Sequence, residues 1–222
     1  NISEEEFLAQ GKPGLVFPLM STLAKSEVGP LDLYQKFSSE KSSSFLLESA
    51  EQGIWSRYSF IGIGARSEIR FKTTGEMEIA NGDRLLPDSS ACSGTILESL
   101  ESVTSAWRQA ELDNLPPLAS GLVGFIGWDL VREIEKLPVG KPRGYEAPLM
   151  HLQLVSELVV VDHLEQNLKI ISNIYCEGSS DLSESYQIAV SKIQEISDLL
   201  ESSHGESFQE RSEEHTSELQ SH

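Results

Sequence analysis

FLLESAEQGIWSRYSFIGIG, residues Phe45 to Gly64, opens as an apolar strand over Phe45, Leu46 and Leu47 and turns polar at Glu48 and Ser49. A short connection through Gln52 and Gly53 leads to an aromatic-rich strand, predicted over Trp55 to Ile63 and closed by Gly62 and Gly64. Successive side chains of a strand point to opposite faces, so Leu47 and Ser49 share one face and Leu46 and Glu48 the other. A pocket on the Ser49 face would combine an apolar wall, one hydroxyl and the free backbone groups of a strand end. Those are the groups a zwitterionic amino acid requires, donors for its carboxylate and acceptors for its ammonium. The same letters also describe a solvated edge corner, which is the commoner use of such a loop.

The rest of the chain bounds what such a corner can belong to. Its 222 residues suffice for one large domain or two small ones with a real core. A hydrophobic share of 39% with 23% charged residues places it among soluble globular proteins rather than disordered ones. The formal charge of −18 excludes nucleic acid and anionic membrane as expected partners, because phosphate binding needs clustered Lys and Arg. Cys92 and Cys176 match no metal or redox spacing and cannot staple a domain of this size, so a reducing cytoplasm is the expected location. Neither end reads as a signal peptide, and no apolar run approaches the ~20 residues of a membrane helix. The chain opens on Asn1 rather than Met, which leads us to expect that the true start is missing.

In chain order, Ser3 with Glu6 forms a capping box for a short helix that stops at Gly11. Val16 to Leu23 reads as a strand, and Pro18 within it predicts an edge position. Gly29-Pro30 opens a helix with Leu31, Tyr34 and Phe37 on one face. Alternation through Ile69, Phe71, Met77 and Ile79 around Thr73-Thr74-Gly75 predicts a half-exposed hairpin running to Asn81-Gly82. Thr95 to Ala110 is helical, with Ile96, Leu100, Val103 and Trp107 on one stripe and Trp107 as a core residue. Glycines 121, 124 and 127 within a strand leave room for close approach of another backbone or a ligand. They do not form a nucleotide loop, since the GxGxxG order and the βαβ context are both missing. Asp129 is expected to cap a following helix that ends at Leu137-Pro138, with Arg132 in an ion pair. Leu152 to Val161 and Leu168 to Tyr175 read as one hairpin around Asp162 to Asn167. His151 and His163 flank these strands without a third ligand and read as structural. Asp181 caps a last helix carrying Tyr186, Ala189, Ile193, Ile196 and Leu200 on one face. Helices interspersed with hairpins give an α+β fold.

Three stretches, in this order, resemble the amino-terminal region of the large subunit of anthranilate synthase (component I), within the chorismate-utilising superfamily. They are LLESAE with WSRYSFIG (46–62), GLVGFIGWDLVREIEKLP (Gly121 to Pro138) and LVVVDHLEQNLKIISN (Leu158 to Asn173). The resemblance implies packed antiparallel β-sheets flanked by helices, with residues 1–202 as the amino-terminal domain. It also implies that the LLES element belongs to a feedback site for tryptophan, with Leu47, Glu48 and Ser49 as effector contacts. A full protein more than twice this length is implied, whose carboxy-terminal part would bind chorismate and Mg²⁺. That enzyme would use ammonia from a glutamine amidotransferase partner and release pyruvate to give anthranilate. No catalytic residue and no metal ligand is assigned to the present chain, which by itself is expected to be inactive. The same region of aminodeoxychorismate synthase and a free-standing amino-acid-binding module are the alternatives. Residues 203–210 read as a linker. Arg211 to His222, RSEEHTSELQSH, resembles the translation of a sequencing-adapter oligonucleotide, so the authentic sequence is expected to stop near Glu210.

Overall fold

A computed structural model of the chain describes residues 2–24, 28–38, 43–48, 57–80, 95–138, 147–178 and 181–202. In chain order these residues form α1 (Glu4–Gln10), β1 (Leu15–Ala24), α2 (Pro30–Ser38), β2 (Phe45–Leu47), β3 (Tyr58–Gly62), β4 (Ala65–Phe71) and β5 (Met77–Ala80). There follow α3 (Ile96–Ser105), β6 (Arg108–Gln109), β7 (Leu122–Ile126), a 3-10 turn at Trp128–Glu133, β8 (Met150–Val155), β9 (Glu157–Asp162), β10 (Asn167–Tyr175) and α4 (Leu182–Glu201). The strands build a six-stranded sheet in the order β2-β3-β9-β10-β1-β6 and a four-stranded sheet in the order β5-β4-β8-β7. Every pairing is antiparallel except the short one between β1 and β6. The fold is α+β with packed sheets and outer helices, as expected.

Helices α1, α3 and α4 begin where the sequence supplies a cap. Ser3 and Glu6 exchange the two hydrogen bonds of a capping box at α1, and Asp181 accepts from the N–H groups of Ser183 and Glu184 at α4. α3 is capped in the same way by Thr95 and Glu98, a T-x-x-E signature that the sequence reading passed over. α2 and α4 cover one face of the six-stranded sheet, where Leu33, Phe37, Ile196 and Leu200 pack on Ile61, Val159 and Ile170. Phe7 of α1 meets Phe17 of β1 edge-on at 5.1 Å, with Cys176 buried in the same cluster. α3 covers the four-stranded sheet, its Ile96 and Val103 lying on Ile69, Phe71 and Met150. Between the sheets lie Val155, Leu158, Val160 and Ile171, with Phe45, Phe60 and Val123 against them.

Four expectations need correction, beginning with the helix predicted over Thr95 to Ala110: it ends at Ser105, Trp107 lies beyond it, and Arg108–Gln109 pair with β1 as β6. The predicted strand Leu152 to Val161 is two strands, β8 in the smaller sheet and β9 in the larger, with Ser156 between them. The corner is satisfied internally: Asn173 donates its backbone N–H to the Ser156 carbonyl at 2.9 Å, and the Tyr175 hydroxyl donates to the Val155 carbonyl at 2.6 Å. Pro18 does stand at an open edge, as expected: among the described residues β1 pairs with β10 along one side, while on the other β6 reaches only Leu15 and Val16. Val16 gives its carbonyl to Ala110 on the far side, so by the period of two the Pro18 nitrogen also points away from β10. β6 pairs only with Leu15 and Val16, which leaves Pro18 no ladder bond to lose. On α2 the buried residues are Leu33 and Phe37, while Leu31 is 53% exposed. Asp129 is not the N-cap: Gly127 holds that position in the 3-10 turn, and Asp129 lies inside it, 3.6 Å from Arg132. Arg132 in turn donates to the Pro138 carbonyl at 2.7 Å. The expected helix is only that six-residue 3-10 segment.

Candidate functional site

β2 is the edge strand of the larger sheet, and its register sets Phe45 against Gly62, Leu46 against Ile61 and Leu47 against Phe60. A Cβ on Gly62 would stand 2.1 Å from the Phe45 ring, so the glycine is what lets that ring lie flat across β3. Leu46 points into the cluster beneath α2. Phe45 and Leu47 point to the other face, where Leu47 is 43% exposed. β2 ends at Leu47, and Glu48 lies exposed just beyond the last ladder pair. Ser49 lies outside the described residues, as does the rest of 49–56, including Gln52, Gly53 and Trp55. Leu47 and Glu48 therefore occupy one open corner, while the expected sharing of a face by Leu47 and Ser49 falls where no geometry is described.

The face that carries Leu47 continues inward through Phe60 and Tyr58 on β3 and Val160 and Asp162 on β9. The Tyr58 and Phe60 rings lie 5.9 Å apart. The Arg57 guanidinium sits 4.9 Å above the Tyr58 ring and the Lys169 ammonium 5.8 Å from it. Asp162 has no exposed surface, yet it is ionised and fully engaged. It accepts from Arg57 Nε at 3.0 Å and Nη2 at 2.8 Å, and from the backbone N–H groups of Leu164 and Glu165 at 3.1 Å each. Burial pushes this carboxyl up, but the Arg57 and backbone hydrogen bonds outweigh it and hold the group well below the usual carboxylate range. Burial, followed by the nearby Asp162 charge, raises the Tyr58 phenol.

The approach to β2 is fastened to the other sheet. Ser43 donates to the Glu68 carboxylate, which also meets Arg70 and, at 3.0 Å, His151 Nε2. The Ser43 hydrogen bond is the main reason that this carboxyl titrates below its ordinary value. One end of the 43–57 segment is thus held by Glu68 and the other by Asp162. Sequence reasoning found neither carboxylate. Arg57 stood beside Tyr58 in the opening stretch, but its partner lies 105 residues away. His163, read as structural, bonds Ser59 Oγ at 2.8 Å, and His151 serves Glu68.

Among the described residues no group of three His, Cys, Asp or Glu side chains could hold a metal ion. The described residues do not supply a site that fits Mg²⁺. No helix of the described part is long and apolar enough to cross a membrane.

No family model matches the chain. Curated relatives do. It is 34% identical to anthranilate synthase component 1 of Mycolicibacterium smegmatis, over 77% of this chain and 32% of that protein. It is 33% identical to the protein of the same name from Arthrobacter globiformis, over 86% of this chain and 36% of that protein. The crystal structure of anthranilate synthase component I from Streptococcus pneumoniae aligns with a TM-score of 0.50 and 19% identity, covering 81% of this chain and 36% of that one, which speaks to the fold alone. The chain spans about a third of the length of the curated relatives it matches.

Proposed function

The chain belongs to the anthranilate synthase component I family, and from that premise we propose that it is the amino-terminal, tryptophan-binding part of such an enzyme. The observation that carries this reading is the coverage, most of this chain against about a third of each relative. In the whole protein the other part would hold Mg²⁺, take chorismate and ammonia from a glutamine amidotransferase subunit, and release anthranilate and pyruvate in the cytoplasm. The part described here would sense the end product.

The corner geometry supports that role. Leu47 offers an exposed apolar surface on the face it shares with Phe60 and Tyr58. Because the ladder stops at Leu47, the backbone of Glu48 is not committed to β3, and its side chain is not obliged to follow the strand alternation. Ser49 would add the hydroxyl. A bound amino acid would place its apolar side chain against the wall and its charged ends on the strand-end groups.

Two measurements test this. The present chain, given chorismate, ammonia and Mg²⁺, should form no anthranilate above a protein-free control, whereas the full-length protein read from the native locus should form it. Activity of the short chain, or inactivity of the long one, would overturn the assignment. In the full-length enzyme Ser49→Ala should weaken tryptophan inhibition roughly ten- to a hundred-fold, the loss of one hydrogen bond to a charged group. Uninhibited turnover should stay within about twofold, since the residue is assigned to the effector and not to the chemistry. Unchanged inhibition would reduce Ser49 to a structural corner residue.

A further inference from the structure

The four-stranded sheet ends at β7, and that edge differs from the rest of the surface. Phe125 and Ile126 are 46% and 54% exposed on the strand itself, and Trp128, in the turn that follows, is 86% exposed. Ile134 and Leu137 continue the exposed apolar surface beyond the turn. Among the described residues the strand's outer hydrogen-bonding groups also have no strand partner. Gly121 accepts from Val155 and Gly127 donates to Leu149, so odd-numbered residues of β7 face β8. By alternation the N–H and C=O groups of Leu122, Gly124 and Ile126 point outward, and among the described residues no strand pairs there. A polar rim adjoins the patch, with His151 edge-on to the Phe125 ring at 6.2 Å and Arg70 paired with Glu68 beside it. An apolar centre with Trp and Phe, an Arg-bearing rim and an unpaired ladder is the composition of a buried interface.

We propose that this edge receives the carboxy-terminal part of the full-length protein, which adds a β-strand beside β7 and covers Phe125, Ile126 and Trp128. The inference rests on the functional reading given above. About two thirds of each relative's length lies outside the match, so ample chain exists to supply the strand. A segment tethered to the same polypeptide meets the edge at a high effective concentration, which a second copy does not. Natural sheets cover or blunt such edges, and β7 carries neither a lysine nor a proline to blunt it.

The test reads Trp128 directly. Phenylalanine at Trp55 and Trp107 leaves Trp128 as the sole indole of the present chain, and acrylamide is the quencher because the charge of −18 would repel iodide. In the short chain Trp128 should be quenched nearly as freely as indole in solution. In the full-length protein, with its other tryptophans also replaced, the quenching constant should fall severalfold. As a second arm, Ile126→Asp should leave the short chain's Tm within about 2 °C, as expected for an exposed site, while lowering that of the full-length protein well beyond this. If the full-length protein makes anthranilate but Trp128 stays open, the docking edge is wrong and the functional reading stands. Protection of Trp128 in a long chain that makes no anthranilate would sink the functional reading and keep the edge. Protection that appears in the short chain as its concentration rises would make the occupant a second copy and overturn the proposal.

Discussion

Valine at position 124 should unseat β7 and cost the chain about 3 kcal/mol. The Cβ of any residue there would stand 2.1 Å from the His151 carbonyl oxygen and 2.9 Å from the Leu152 Cα. Both are backbone atoms of β8, which is held between β4 on one side and β7 on the other. No rotamer change relieves such a contact, so the strand itself has to move. Among the described residues β7 has no second partner to hold it in place, and it should be the element that gives way. Its departure would uncover Leu122, which packs against the cluster under α3. Urea unfolding of wild type and Gly124→Val measures the effect, and a midpoint shift worth less than about 1 kcal/mol would show that the close approach is not a constraint.

That glycine was legible in the sequence because a glycine in a strand has few other uses. The same holds for Gly75, whose φ of +84° serves the β4–β5 turn, and for Ser3 and Asp181, where local letters dictate local hydrogen bonds. The corner at Ser156 was only half legible. β8 alternates, with His151 and Gln153 half-buried, whereas β9 is buried on both faces and reads as a continuous apolar run. The polar pair Ser156-Glu157 marks the break between the two patterns, but not that the chain changes sheet there. The site was half legible for a similar reason. Strand alternation placed Leu47 on an open face, and the change from Leu47 to Glu48 marked where β2 ends. What fastens the corner depends on Glu68 and Asp162, which pairing in three dimensions brings to Ser43 and Arg57. A single sequence carries no signal for contacts of that range.

Asp162→Asn should destabilise the chain by about 2–3 kcal/mol at neutral pH, and it should also change the response to acid. In the wild type Oδ1 accepts from Arg57 Nε and from the Leu164 and Glu165 N–H groups, while Oδ2 accepts from Arg57 Nη2 and lies 3.5 Å from Lys169 Nζ. Every neighbour is a donor. The amide of asparagine can keep its oxygen toward the turn, but its NH₂ group then faces Arg57 and Lys169, donor against donor and without the charge that offset burial. The acid dependence follows from linkage. The folded carboxyl titrates well below its ordinary value, so its contribution is complete above the unfolded pKa of about 3.9 and fades as pH falls below it toward the folded pKa. Between pH 7 and pH 3 this amounts to about 1 kcal/mol for one such group. Glu68, also lowered, loses stability in the same direction, so the wild-type slope alone cannot isolate Asp162. The difference between the two proteins can. Unfolding free energies at pH 7 and pH 3 should fall by about 1 kcal/mol more in the wild type than in Asp162→Asn. Parallel declines would mean that the carboxylate is no more stabilised in the folded chain than in the unfolded one, and Arg57 would lose its place as the anchor of β3.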